Sequence, residues 1–226
     1  MSLNQQFFRK EARELMWYWI AALAVLLLGL MQLVYSSGVT TGQYNGFIVG
    51  LLWFAGYTLV HAVATYPFSS EFANNTMARL LAQPVRRAAI WNRKILLVGA
   101  CLLALALMEL FAVLAFHLWP NNLHEPTAAL YKAMLIMLVS AFFSGPLMAL
   151  LLRQGLTALL ASMIMPFGVL LLGALIGELW YQYFHMNPAE EGTPILKIPL
   201  MWWILGGAWC AFAHLYARRR FLKLEV

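Results

Sequence analysis

Residues 69–94 read SSEFANNTMARLLAQPVRRAAIWNRK. This stretch of 26 residues holds one carboxylate, Glu71, and five cations, Arg79, Arg86, Arg87, Arg93 and Lys94. The sequence on both sides of it is almost wholly apolar. How a polar, basic and helix-prone segment fits between two greasy ones decides the fold.

Working outward, the chain of 226 residues is 63% hydrophobic and only 11% charged. A soluble domain carries about 25% charged residues, so a soluble monomer is excluded and an all-α integral membrane protein is expected. A bilayer is crossed by about 20 consecutive apolar residues. Six stretches qualify, at 17–35, 44–66, 95–119, 128–152, 156–177 and 199–217. They imply six transmembrane helices in a single membrane domain covering residues 1–226. The first is preceded by mostly polar residues and lacks a small-x-small cleavage site, so it reads as a retained span rather than a signal peptide.

The cations set the orientation. Arg9, Lys10 and Arg13 precede the first span, the 69–94 segment follows the second, Arg153 follows the fourth, and Arg218, Arg219, Arg220 and Lys223 follow the sixth. Only Lys132 and Lys197 fall on the other side. The positive-inside rule places both termini in the cytoplasm, and an even number of spans requires the two ends to share a side. The net charge of +6 is therefore a topology signal, with anionic membrane lipids as the cations' default partner and no nucleic acid implied.

Within the segment, Asn74, Asn75 and Thr76 are capping residue types. Met77, Leu80 and Leu81 follow at i, i+3 and i+4 on one helical face. Pro84 ends that helix and suits the first turn of the next. A helix–Pro–helix element with a small apolar face flanked by charge is a docking device, its apolar residues entering a partner's groove. The plainer reading is a solvated basic loop that only fixes topology.

Other features are weaker. Phe8, Ala12, Leu15 and Met16 lie on one side of the N-terminal arm and Gln6, Arg9, Lys10 and Arg13 on the other, which suits an amphipathic helix in the cytoplasmic interface. Trp17, Tyr18 and Trp19 form an aromatic belt beside it. Glu109 falls inside the third span, where a carboxylate costs at least ~2.5 kcal/mol; it either lines a pathway or makes an interhelical contact. His61, His117 and His214 read as packing or interfacial groups. Cys101 and Cys210 read as small buried apolar residues. The segment 178–198 starts with Trp180, Tyr181, Tyr183 and Phe184 and ends among prolines, which suits an outer interfacial or re-entrant piece between spans five and six. Trp53, Phe54, Tyr57, Phe111, Phe142, Phe143 and Phe167 are aromatic candidates for contact with a hydrophobic cargo, or for ordinary packing.

At the opening stretch the sequence resembles the membrane (permease) subunit of type-2 ATP-binding-cassette (ABC) transporters. That family shares a pattern E-x-x-x-G-T-x-x-x-L-L-x-x-P-[hydrophobic]-x-R with a Lys beyond it. Here the pattern is met by Glu71, Thr76, Leu80, Leu81, Pro84, Val85, Arg87 and Lys94, while Asn75 stands where the family usually has Gly. The arm FFRKEARELMWYW, with Lys10 and Glu11, is also similar to the family's N-terminal arm.

The resemblance implies a permease that exports a substrate across the bacterial cytoplasmic (inner) membrane. The loop between spans two and three is then a cytoplasmic coupling helix seated on a separate ATPase subunit. Its ATPase-coupling residues are Glu71, Thr76, Met77, Arg79, Leu80, Leu81, Pro84, Arg86, Arg87 and Lys94. Met77, Leu80 and Leu81 supply an apolar dock, and Arg79, Arg86 and Arg87 meet acidic groups or lipid phosphates. Glu71 caps the coupling helix or pairs with Arg87 or Lys94. The chain has no G-x-x-x-x-G-K-[ST], so it cannot cradle phosphates itself. It is expected to be no enzyme and to bind no cofactor, with ATP and Mg held by two copies of the partner ATPase and a second permease copy, or a related permease, beside it. The nearest alternative is a haem-export-like permease of cytochrome maturation, in which His117 and His124 would matter. The alternative from another class is an intramembrane protease built on Ser144 and a histidine such as His214.

Overall fold

A helix satisfies every backbone N–H and C=O within its own segment, which makes it the natural element for a chain this apolar. The computed structural model describes residues 3–37, 42–74, 76–77, 81, 86–117, 126–184 and 199–224. Its six long helices are α1 (Leu3–Ser37), α2 (Gly42–Ala73), α3 (Arg87–His117), α4 (Pro126–Leu152), α5 (Gly155–Phe184) and α6 (Pro199–Leu222). Among the described residues there is no strand.

Side-chain contacts give the helix directions. On α1 and α2, Tyr66 donates to Glu14, Leu26 lies against Gly56, and Leu52 against Gly29. Residue numbers rise along one helix as they fall along the other, so the pair is antiparallel. The α3 helix runs parallel to α1: Lys94 meets Glu11, and Trp19 Nε1 donates to the Cys101 carbonyl at 2.8 Å. Gly155, at the start of α5, sits beside Ser69 near the end of α2. Tyr57 donates to the Met163 carbonyl at 2.7 Å. Arg87, at the start of α3, reaches Leu222, at the end of α6. The start of α1, the end of α2, the start of α3, the α4–α5 turn and the end of α6 therefore gather at one end of the bundle. Arg9, Arg13, Arg86, Arg93, Arg153, Arg218, Arg219, Arg220 and Lys223 all stand exposed there, and it is called the basic end below.

The outer surface of the bundle is apolar. Leu96, Leu103, Phe111, Leu156, Ile164 and Leu171 are all largely exposed, an arrangement that suits acyl chains and not water. Hydroxyls within the helices fold back onto their own turns: Thr65 donates to the His61 carbonyl at 2.8 Å, Ser140 to that of Met137 at 2.8 Å, and Ser162 to that of Leu159 at 2.7 Å. Such back-bonding removes polar hydrogens from the apolar surroundings. Among the described residues, Glu11–Gly29, Arg87–Ala112 and Met134–Leu152 are long and apolar enough to cross a membrane, and Gly155–Val169 is a shorter apolar run. Cys101 and Cys210 are free thiols.

Two expected elements take another form. The N-terminal arm is not a helix separate from the first apolar stretch, because α1 is continuous over 35 residues. The sequence has neither Gly nor Pro between Leu3 and Leu28, so nothing breaks the helix where a bend into an interface was expected. Residues 178–184, expected to begin an outer re-entrant piece, continue α5 to Phe184; residues 185–198 lie outside the described residues.

The middle of the bundle depends on a close approach of α2 and α4. A Cβ placed on Gly145 would lie 2.7 Å from the Ala64 Cβ and 3.0 Å from the Ala64 carbonyl carbon. Small residues let helix backbones meet this way in a membrane. Gly145→Val is expected to destabilise the detergent-solubilised protein by about 1–3 kcal/mol, the usual cost of overpacking. Gly168, with nothing within 4 Å of its would-be Cβ, is the control: Gly168→Ala should leave thermal stability unchanged or raise it. A thermal-unfolding comparison of the two variants checks this.

Candidate functional site

The site is built where the 69–94 segment leaves α2 and returns into α3. The end of α2 is closed by Asn74 N–H on the Ser70 carbonyl and Thr76 N–H on the Glu71 carbonyl, both at 2.9 Å. The second bond spans six residues, the closure of a Schellman-type helix end. That closure favours glycine, then asparagine, at the residue just before the donor. The family pattern asks for glycine at that position and this sequence carries Asn75; residue 75 itself lies outside the described residues. Thr76 also turns its hydroxyl onto the Glu71 carboxylate. Glu71 thus holds the first turn of the segment by its carbonyl and its side chain together.

Below that turn lies Lys94, with a relative exposure of 1% against 8% for Glu71. An ammonium so buried needs several partners. Lys94 Nζ donates to Glu11 of α1, donates to the Pro67 carbonyl of α2 at 2.6 Å, and lies 3.6 Å from Glu71 Oε1. The Phe68 ring is a further contact, 5.8 Å from the ammonium to its centroid. One cation thereby joins α1, α2, α3 and the start of the 69–94 segment. Glu14, one helical turn beyond Glu11, accepts from Tyr66 Oη at 3.2 Å, which adds a second polar link between α1 and α2.

An aromatic cluster packs behind the cation. Phe68 and Trp91 lie 5.3 Å apart, Trp91 and Phe221 5.5 Å, and Phe68 meets Phe221 edge-on at 6.4 Å. Phe68, Trp91 and Phe221 belong to the buried core.

The other expected site residues fall out as follows. Glu71, Thr76 and Lys94 come together. Arg87 pairs elsewhere: its Nη1 donates to the carbonyls of Leu222 and Leu224 at the end of α6, so of the two cations expected to pair with Glu71 it is Lys94 that lies beside it. Met77 and Leu81 are both helical and only 7% and 8% exposed, within this chain's own core. Their side chains hold the segment against the bundle instead of facing outward into a partner's groove. Arg86 is exposed, and its carbonyl accepts the first amides of α3, from Ala89 at 2.8 Å and Ile90 at 3.3 Å. Arg79, Leu80 and Pro84 lie outside the described residues.

Glu109 points into the bundle at 1% exposure, and neither carboxylate oxygen has a hydrogen-bond partner among the described residues. His61 is also buried; its Nδ1 lies 3.0 Å from the Tyr57 carbonyl. Of the aromatic cargo candidates, Phe54, Phe111 and Phe167 are exposed, while Trp53, Tyr57, Phe142 and Phe143 are half-buried. For the protease alternative, the buried Ser144 hydroxyl lies 2.6 Å from the Ser140 carbonyl and 3.1 Å from that of Ser162. His214 instead packs between the rings of Trp91 and Phe143. A nucleophile needs a base within hydrogen-bond reach, and Ser144 is turned onto carbonyls. The side chains of His117 and His124, on which the haem alternative drew, lie outside the described residues.

Glu11, Trp91 and Phe221 are the site residues that the motif left out. Glu11 had a signal: the chain has no aspartate and few glutamates on the cation-rich side, so a cation at the edge of a span had few carboxylates to meet. Trp91 and Phe221 had none, because each sits in a stretch that reads simply as apolar or basic.

Lys94→Met removes the cation that lies beside both Glu11 and Glu71. It is expected to lower stability by about 3–5 kcal/mol, as loss of one partner of a buried ion pair does, whereas Glu11→Gln costs less because Glu71 stays beside the ammonium. Thermal unfolding of the two variants in detergent checks the order.

A family model described as "ABC-2 family transporter protein" matches residues 8–177, which include most of α1, all of α2 to α4, the whole 69–94 segment and most of α5. Searches of curated proteins and of solved structures returned no match. The matched span holds Glu11, Glu71 and Lys94, the residues that tie the segment to the bundle, and the chain belongs to the ABC-2 transporter family as a multi-pass membrane (permease) subunit, not the ATPase.

Proposed function

We propose that this chain is the permease of an exporter in the bacterial cytoplasmic membrane and that a separate ATPase drives it by pushing on residues 69–94. The observation that carries this reading is the buried Lys94 tie. A loop that only connected two helices has no need of an ammonium shared among three helices and the loop's first turn. A loop that must deliver force to several helices does need such a fixed root. The six helices are read as six spans, with the basic end and both termini in the cytoplasm, in keeping with the positive-inside rule.

In this reading ATP and Mg bind to two ATPase subunits, and a second permease copy or a related permease completes the pathway. Glu71 and Thr76 shape the entry to the coupling helix, and Met77 and Leu81 seat it on the bundle. The contact with the ATPase is assigned to Arg86, exposed just before α3, and, on the sequence pattern, to Arg79, Leu80 and Pro84. Arg86 and its neighbours suit acidic groups on the ATPase. Differential binding of the nucleotide to two arrangements of the ATPase pair supplies the work, and the rigid root passes it to α1, α2 and α3. The cargo is left open by these residues. Glu109, buried and without a hydrogen-bond partner among the described residues, is a polar group inside the bundle that a pathway would have to pass or avoid.

Co-expression with the ABC ATPase of its host tests the reading. Arg79→Glu combined with Arg86→Glu should reduce the ATPase recovered with the tagged permease by tenfold or more, the effect of about 1.4 kcal/mol, with the permease still inserted in the membrane. Unchanged recovery contradicts docking on this segment.

A further inference from the structure

The end of α6 is fastened to the root of α3 at two points. Phe221 is fully buried and packs on Trp91 and Phe68. Arg87, the first residue of α3, donates from Nη1 to the Leu222 carbonyl at 3.3 Å and to the Leu224 carbonyl. The last carbonyls of a helix have no partner within it, and they form the negative end of the helix dipole. A guanidinium there both satisfies them and meets that field. The inward face of α6 continues through Ala217 and Ala213, both buried, at the i, i+4 spacing of one helical stripe. His214, beside that stripe, lies 6.0 Å from Trp91 and 6.3 Å, edge-on, from Phe143 of α4. Ring contacts therefore lead from Phe68, which carries the Lys94 ammonium, through Trp91 and α6 into α4.

We infer that the end of α6 is a working part of the coupling machinery. Arg87 on the terminal carbonyls and Phe221 between Phe68 and Trp91 form a clamp that makes α6 follow the root of the 69–94 segment when a partner pushes on it. This rests on the coupling reading above and adds to it the membrane helix that takes up the stroke. The physical ground is close packing: a buried cluster of rings shifts as a unit between discrete arrangements and does not shear gradually. Arg87 is a positioning residue here, acting through the α6 carbonyls.

The test uses the full permease, with Cys101 and Cys210 replaced by alanine, co-purified with its ATPase in nanodiscs and spin-labelled for pulsed distance measurements. One label pair sits at Arg93→Cys and Arg218→Cys, across the clamp. The other sits at Arg153→Cys and Arg218→Cys, between the α4–α5 turn and α6. All three positions are exposed. Trapping with ATP and vanadate should leave the 93–218 distance within the ~1–2 Å of a small helix adjustment and should shift the 153–218 distance by more. Arg87→Ala should keep the ATPase bound, broaden the 93–218 distribution and abolish the 153–218 shift, and Arg87→Lys should restore both. Phe221→Leu, which removes the ring from between Phe68 and Trp91 and leaves Arg87 its acceptors, opens the other half of the clamp; it should resemble Arg87→Ala and serves where that variant is poorly folded. The inference is overturned if the 93–218 distance itself shifts on trapping in the otherwise unaltered protein, or if the 153–218 shift survives Arg87→Ala or Phe221→Leu. Failure of the unaltered permease to bind the ATPase instead sinks the coupling reading, and the clamp's role falls with it.

Discussion

The arrangement at the basic end depends on where one ammonium goes. Lys94 enters the bundle near the start of α3 and is almost completely shielded. Removing such an ion from water costs several kcal/mol, and a buried ion pair seldom returns more than that in net stability. Glu11, Glu71, the Pro67 carbonyl and the Phe68 ring offset the cost. What the cluster contributes is position: an unpaired charge at that depth is so unfavourable that α1, α2, α3 and the 71–76 turn are held in the one arrangement that satisfies it. The buried faces of Met77 and Leu81 and the Schellman-type closure at Glu71 then fix the direction in which the segment leaves the bundle.

The same end shows a division of labour among the charges. The described carboxylates there are drawn inward, Glu71 buried and Glu11 and Glu14 half-buried, while most of the described cations remain outside. The exposed field is accordingly positive, although the chain as a whole carries both signs. It presents a surface of one sign to whatever binds at the basic end. Lys94 and Arg87 are the exceptions, and each is occupied in joining elements: Lys94 ties the N-terminal helix to the segment, and Arg87 ties the segment's far end to α6.

Much of this was legible in the sequence, and the misses have physical causes. Apolar length located the helices, because a membrane protein must satisfy its backbone internally. The motif offered Glu71 two cations, Arg87 and Lys94, and could not choose between them; the structure puts Lys94 beside it, and the Thr76 contact was not foreseen. The motif could not say which way Met77 and Leu81 face. Period alone defines a stripe, and both a partner's groove and the chain's own core are apolar destinations for it. Nor could it show that α1 runs unbroken from the arm into the apolar stretch: amphipathic patterning describes a surface, whereas continuity depends on the absence of Gly and Pro breakers from Leu3 to Leu28. Phe221 was hidden among the arginines of the tail, where charge drew the reading away from a single ring at the i+4 position after Ala217.

The most direct measurement of the central claim is hydrogen exchange on the reconstituted permease with and without its ATPase. The account predicts slow exchange at the start of α3 in the permease alone, where Lys94 and Trp91 are anchored, and new protection on ATPase binding confined mainly to residues 74–86. Unchanged exchange across 69–94 on binding, with new protection appearing only at the α4–α5 turn around Arg153 or elsewhere on the bundle, would contradict it.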